Sequence, residues 1–261
     1  MIRRLQRGDV ALAISLFHMV EFSHPAFRSY PVLRDLLNDI PTVLANPFQE
    51  VEEDEFAVAC AAATGRSRRP PRVFAADTSR WGIAGGPIGG TALDMIESFS
   101  RGPSRDQIVA MAHHGADTAS RMKGQAAVVR DPQLPLRLAV ERHLLLHRES
   151  YRGYADGLES EEIIRRTQEW PHFAGYRVHE ALLAVRLRDS NRKDRPGDVF
   201  DEFNAFYAPY AVATAVDRGT LHRVRMARLL CAGRMTSELG DIPTILDRVA
   251  AGQDAPVESS R

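Results

Sequence analysis

Cysteine is nearly absent from this chain, with two in 261 residues, Cys60 and Cys231, both in Ala- and Leu-rich surroundings. No CxxC and no Cys/His pair at metal spacing accompanies them, which argues against a thiolate metal site or a disulfide scaffold and for two buried thiols in a reducing compartment. Long apolar runs are missing too. No stretch reaches the roughly 18 uninterrupted apolar residues of a membrane span, and the first residues carry neither the apolar core nor the cleavage site of a secretory signal. The expectation is a cytoplasmic protein with no membrane partner. An excess of either charge is also lacking, because 34 basic and 34 acidic side chains cancel. Any nucleic-acid affinity must then come from local basic clusters and not from a global field. No internal repeat occurs at any period, which sets solenoid folds aside.

What is present is an ordinary globular composition, 44% apolar and 26% charged, long enough for one large domain or two small ones. MIRRLQRGDV reads as the end of a basic helix running into a Gly-Asp turn, and Val10 to Leu16 then predicts a buried strand followed by a helix from His18 to Phe22. A short helix over 32–40, a strand over Thr42 to Ala45 and a helix from Pro47 to Thr64 follow, the last with an acidic first turn (Glu50, Glu52, Glu53, Asp54, Glu55) that suits its dipole. RSRRPPR then serves as a linker to VFAAD, a strand candidate ending on Asp77. From Trp81 the composition changes. Gly and Pro crowd residues 82–90, helical patterns run over about 91–123 and 134–188, and the segment 82–188 predicts a helical insertion or lid within a single α/β domain. The polar loop DSNRKDRPG returns the chain to that layer, Leu221 to Cys231 predicts a basic helix, and residues 252–261 predict a disordered tail.

The chemistry concentrates in PGDVFDEFNAFYAPYAVATAVD, residues 196–217. Here Asp198 can cap a helix, Asp201 falls one turn later on nearly the same face, Pro209 closes the helix, and a predicted strand over Ala211 to Val216 stops on Asp217. Near the start, Glu21 interrupts the apolar run SLFHMVEFS. Three acids thus lie where strands meet helices, the edge at which α/β sheets bind ligands. Clustered carboxylates repel one another unless a cation neutralises them, and Mg²⁺ or Mn²⁺ suits an oxygen-only site. Each acid also has a structural reading. Glu21 can pair with Arg28 or Arg34, Asp198 with the acid that follows it forms a capping arrangement, and Asp217 can open a turn and cap the next helix. His18 is a packing histidine before it is a ligand.

Together SLFHMVEFS and PGDVFDEFNAFYAPYAVATAVDRG resemble the PIN-like nuclease superfamily, especially its longer bacterial members with a helical insertion. The resemblance covers about the first 65 residues and residues 189–230 and leaves the middle unmatched. It implies a parallel sheet flanked by helices in three α/β/α layers. It also implies a ribonuclease using Mg²⁺ or Mn²⁺, with Glu21, Asp201 and Asp217 as catalytic metal ligands and Asp198 as a secondary ligand. RNA is the implied substrate, and a toxin-like member would bring an inhibitory protein partner or a homo-oligomer. One departure stands out. The family's leading Asp, ending a first strand, has no counterpart, because Met1 falls inside the following helix; Asp77 is a possible substitute. Either the true start lies upstream or the ligand is lost; in the second case the expectation is a weakened or lost site and an exposed sheet edge, which makes a noncatalytic binding or scaffold protein the alternative.

The remaining motifs are less specific. RSRRPPR and RGTLHRVRMAR can contact phosphates or form solvated faces. His113-His114 and the pair His143 and His147 lack the acid of an HExxH site, and GIAGGPIGG lacks the Lys-Ser/Thr of a P-loop. A small-molecule hydrolase sited within residues 91–188 is a third option, which predicts a deep pocket away from the acids.

Overall fold

The computed structural model describes residues 10–23, 41–75, 96, 97, 99, 104–123, 141, 162, 173–189 and 191–253. The first strand, β1 (Leu12–Ile14), is shorter than its apolar run because Ser15 stops it and caps helix α1 (Leu16–Phe22). The Ser15 hydroxyl accepts the His18 backbone N–H at 3.3 Å, and the His18 ring Nδ1 accepts the Ser15 N–H at 3.2 Å. Burial holds the His18 imidazole down at about 4, so it stays neutral and able to accept. His18 is therefore a capping residue.

Strand β2 (Thr42–Ala45) pairs in parallel with β1, placing Ala13 opposite Val43. On its other side β2 meets β3 (Phe74–Ala75) in antiparallel register, with Ala45 opposite Phe74. The expected parallel pairing holds for β1 and β2, while β3 joins antiparallel, giving a mixed three-stranded sheet in the order β1-β2-β3. Between β2 and β3 runs α2 (Phe48–Ala63). Its acidic stretch is not a solvated face, since Glu52 and Glu55 are buried. Asp54 draws the RSRRPPR segment back onto this helix, with Arg68 at 3.5 Å and Arg72 at 3.8 Å.

Helices α3 (Ser104–Met122) and α4 (Ala174–Arg188) lie within the segment expected to be an insertion, and both pack on α5 (Pro196–Phe206). Helix α5 is the hub. Phe203 stacks on Phe17 of α1 at 4.5 Å between ring centres and meets Phe48 edge-on at 4.5 Å, while Phe206 packs against Phe48 at 4.6 Å. Residues 200, 203 and 206 follow the three-residue step that keeps side chains on one helical side. With Phe56, Phe173, Tyr176, Tyr207 and Tyr210 they build an aromatic-rich core.

After α5 the chain makes a short 3-10 turn (Ala208–Tyr210), and the strand expected over Ala211 to Val216 contracts to β4 (Thr214–Ala215). The Arg234 guanidinium explains the contraction. It donates to the carbonyls of Ala211 and Pro209, the latter at 3.0 Å, so these groups are satisfied without a strand ladder. Strand β4 does not join the first sheet. It pairs in parallel with β5 (Met235–Thr236), flanking α6 (Arg218–Met226). Helix α7 (Ile242–Ala250) closes the described chain. The architecture is mixed and helix-rich, with short parallel strand pairs. Among the described residues no helix is long and apolar enough to cross a membrane.

Candidate functional site

Three elements bring the acids together. Glu21 projects from α1, Asp198 and Asp201 from the first turns of α5, and Asp217 stands between β4 and α6. Helix α1 is fixed against α5 by the Phe17–Phe203 stack and by a hydrogen bond from the Ser15 hydroxyl to Asn204 Oδ1 at 2.7 Å.

The three acids act on one another through their charges. Glu21 presents an exposed side chain, yet protein crowds its carboxyl enough that desolvation, followed by the charges of Asp201 and Asp217, raises it to about 7. Asp201 is half-buried and raised to about 6, first by desolvation and then by Asp217. Asp217 moves the other way. Partial burial raises it, but the Thr220 side chain and the backbone N–H groups of Thr220 and Gly219 outweigh that and hold it below the usual carboxylate range. Its Oδ1 accepts from Gly219 at 2.7 Å and Thr220 at 3.0 Å, so Asp217 is the N-cap of α6 as well as a member of the cluster.

Asp198 has a different role. Pro196 occupies the first turn and Arg195 precedes it, so Asp198 sits at the third helical position rather than at the cap, and its Oδ2 accepts the Arg195 N–H at 2.9 Å. Its Oδ1 is bonded to Arg192 and lies 3.6 Å from Arg223. Buried and paired on both oxygens, Asp198 backs the cluster and offers no free oxygen to a ligand.

Arg223, on α6, is the group that inspection of the sequence overlooked. Its guanidinium lies between Asp198 and Asp201, the second at 3.7 Å. RGTLHRVRMAR looks like a solvated basic face, but Thr220, Leu221, Arg223 and Val224 all lie on its buried side. The spacing of Leu221 and Val224 was the available signal. Behind Asp198 lies a second charged layer, in which buried Glu202 meets Arg186 at 2.8 Å. Desolvation raises Glu202 to about 7 against the pull of Arg186, His179 and Arg223.

The other motifs do not join the cluster. His113 and His114 are exposed on α3. Asp77, the first nine residues, GIAGGPIGG, His143 and His147 lie outside the described residues. Among the described residues no three His, Cys, Asp or Glu side chains are grouped closely enough to hold one metal ion. The donor set of Glu21, Asp201 and Asp217 is nevertheless oxygen-only and mutually repulsive, the chemistry that a hard divalent cation relieves. The donor types suit such an ion, but the three are not grouped closely enough to hold one, and Asp198 is already paired. The chain matches no protein-family model, no curated protein and no solved structure.

Proposed function

We propose that this chain is a PIN-like, divalent-cation-dependent ribonuclease whose reaction centre is Glu21, Asp201 and Asp217. The supporting observation is that carboxylates from α1, α5 and the β4–α6 junction act on one another, the charges of Asp201 and Asp217 raising Glu21 and that of Asp217 raising Asp201. Perturbed carboxylates brought together from separate elements are a mark of functional sites. Bound Mg²⁺ or Mn²⁺ supplies Lewis-acid polarisation of a phosphodiester and a water of lowered pKa. Glu21, Asp201 and Asp217 are the residues that would hold it. Asp217, already the most acidic of the three, keeps its α6 cap throughout. The exposed His222 and Arg225 of the same helix are available to the RNA backbone, whereas Arg218 is paired with Glu238 at 2.8 Å.

The decisive test compares wild type with Asp201→Asn on single-stranded RNA with added Mn²⁺. Cleavage by the variant should fall by at least about a hundredfold, the scale of losing one charge-stabilising group. Equal rates in the two proteins would remove the catalytic assignment. A second reading, a noncatalytic binding or scaffold protein, is favoured by Arg223, whose charge already neutralises part of the cluster. That reading predicts RNA binding without Mn²⁺-dependent cleavage in either protein.

A further inference from the structure

Between Asp217 and Glu238 the chain carries five arginines and no acid. Three of them are already engaged, since Arg218 pairs with Glu238 at 2.8 Å, Arg223 faces Asp198 and Asp201, and Arg234 donates to the carbonyls of Pro209 and Ala211. Arg225 and Arg228 are exposed, and neither forms an ion pair among the described residues. Within the same turn stand Met226 and Leu230, 65% and 96% exposed. The backbone there is tied down at both ends. At the end of α6 the Leu229 N–H donates to the Val224 carbonyl at 3.3 Å and the Arg228 N–H to that of Arg225 at 3.0 Å, the bonding of a Schellman cap. Such a cap takes a left-handed residue just past the helix end, most often glycine. Here it is Arg228, at φ 53°, the one non-glycine residue of positive φ among the described residues. Leu229 then packs against the core of Leu221, Val224, Cys231 and Met235, and Cys231 is itself buried, so Leu230 between them points outward. A glycine at 228 and a polar side chain at 230 would serve the fold at least as well. The chain instead keeps an unfavourable backbone conformation and exposed apolar surface on one turn, residues 225–230.

We propose that this turn is a docking knob for a partner protein that presents an apolar pocket rimmed by Asp and Glu side chains. The inference is independent of the ribonuclease reading. Charge and shape together select the occupant. Two guanidinium groups without an acid of their own match carboxylates, which arginine grips through paired N–H donors. Leu230 and Met226 stand out from the surface, and only a concave apolar partner removes both from water, whereas a phosphate backbone leaves them wet. No Phe, Tyr or Trp follows Tyr210, so the aromatic platform on which single-stranded RNA stacks its bases is missing from this end of the chain. The left-handed Arg228 is then stability forgone to set a charge beside the apolar tip.

Selection of random displayed peptides on the full chain, followed by titration of the enriched peptides, tests this. Enriched sequences should combine Asp or Glu with Leu, Ile, Phe or Trp. Leu230→Ser, Met226→Gln and Arg228→Gly should each weaken their binding by at least about tenfold, the loss that marks an interface hot spot. Arg228→Gly separates docking from folding, because relief of the left-handed strain should leave its unfolding temperature no lower than that of wild type while binding falls. No enrichment, enrichment of peptides without acids, or affinities that survive the three substitutions would overturn the proposal. Binding of oligouridine or of phosphatidylserine vesicles through Leu230 and Arg228, in place of acidic peptides, would overturn it in favour of an RNA or a lipid surface. If Arg228→Gly lowers the unfolding temperature, the arginine serves the fold, and the proposal is overturned.

Discussion

At the scale of single residues, the cluster spends stability. The Glu21 carboxyl titrates at about 7 and Asp201 at about 6, against ordinary values of 4.5 and 3.8. Between about 4 and 7 the folded chain therefore binds more protons at these groups than the unfolded chain does. Their stabilising contribution is complete below the ordinary values and is lost as pH rises through about 6 and about 7. Asp201→Asn removes one of the two titrations and one of the charges that raise Glu21. Urea unfolding at pH 5 and pH 8 should show wild type losing more stability across that interval than the variant, because the variant lacks the Asp201 titration and has a less raised Glu21 one. Carboxyl-detected NMR should find the Glu21 titration lowered in the variant yet still above 4.5, since desolvation, its larger cause, remains. A Glu21 titration unchanged by the substitution would mean that the acids are not neighbours in solution.

At the scale of elements, legibility in the sequence followed locality. β2 and α2 were readable within about a residue because periodicity, Pro47 and Gly65 all act within the segment. The pairing of β4 with β5 was not, because β5 is two residues long and its partner lies across a helix. Nor was the start of α4. Its first turn is closed by Glu55 of α2, which accepts the N–H groups of Gly175 at 2.7 Å and Tyr176 at 3.0 Å and the Tyr210 hydroxyl. A carboxyl from a helix that precedes α4 by more than a hundred residues does the work of a local cap, so no Ser, Thr, Asp or Asn marks the spot. Desolvation lifts Glu55 to about 8 while its three donors pull it down. Glu55→Gln cannot satisfy both backbone donors and should cost roughly 1–3 kcal/mol in denaturant unfolding. Gly175 is needed for close approach. A Cβ there would stand 2.8 Å from both the Phe206 ring and its carbonyl oxygen. Backbone cannot yield easily, so Gly175→Ala should cost about 3 kcal/mol, the upper end of overpacking penalties. A variant as stable as wild type would show that α4 and α5 separate more readily than this packing implies.

At the scale of the whole molecule, the arrangement of the three acids depends on contacts among the described residues that tie early and late chain across the hub helix. Glu21, Asp201 and Asp217 could be picked out singly from their places at predicted strand and helix ends, but Arg223 and Asn204 matter only through tertiary contacts. The ties are few and specific. The Ser15 hydroxyl bonds Asn204, the Tyr207 hydroxyl donates to the Asn46 carbonyl at 2.7 Å, and Phe17 stacks on Phe203. The Ser15–Asn204 bond lies nearest the turn that launches α1, so it fixes how Glu21 faces Asp201 without carrying much of the core. Asn204→Ala should therefore cost only about 1 kcal/mol, the net worth of one hydrogen bond. Its effect on the site should be larger in kind. With α1 less firmly held, Glu21 gains water and distance from Asp201 and Asp217, and both causes of its raised titration weaken together. NMR should then find Glu21 titrating closer to 4.5 than in Asp201→Asn, where only a charge is lost. If Asn204→Ala leaves Glu21 at about 7, the aromatic stack alone sets the α1–α5 geometry, and the polar tie is redundant.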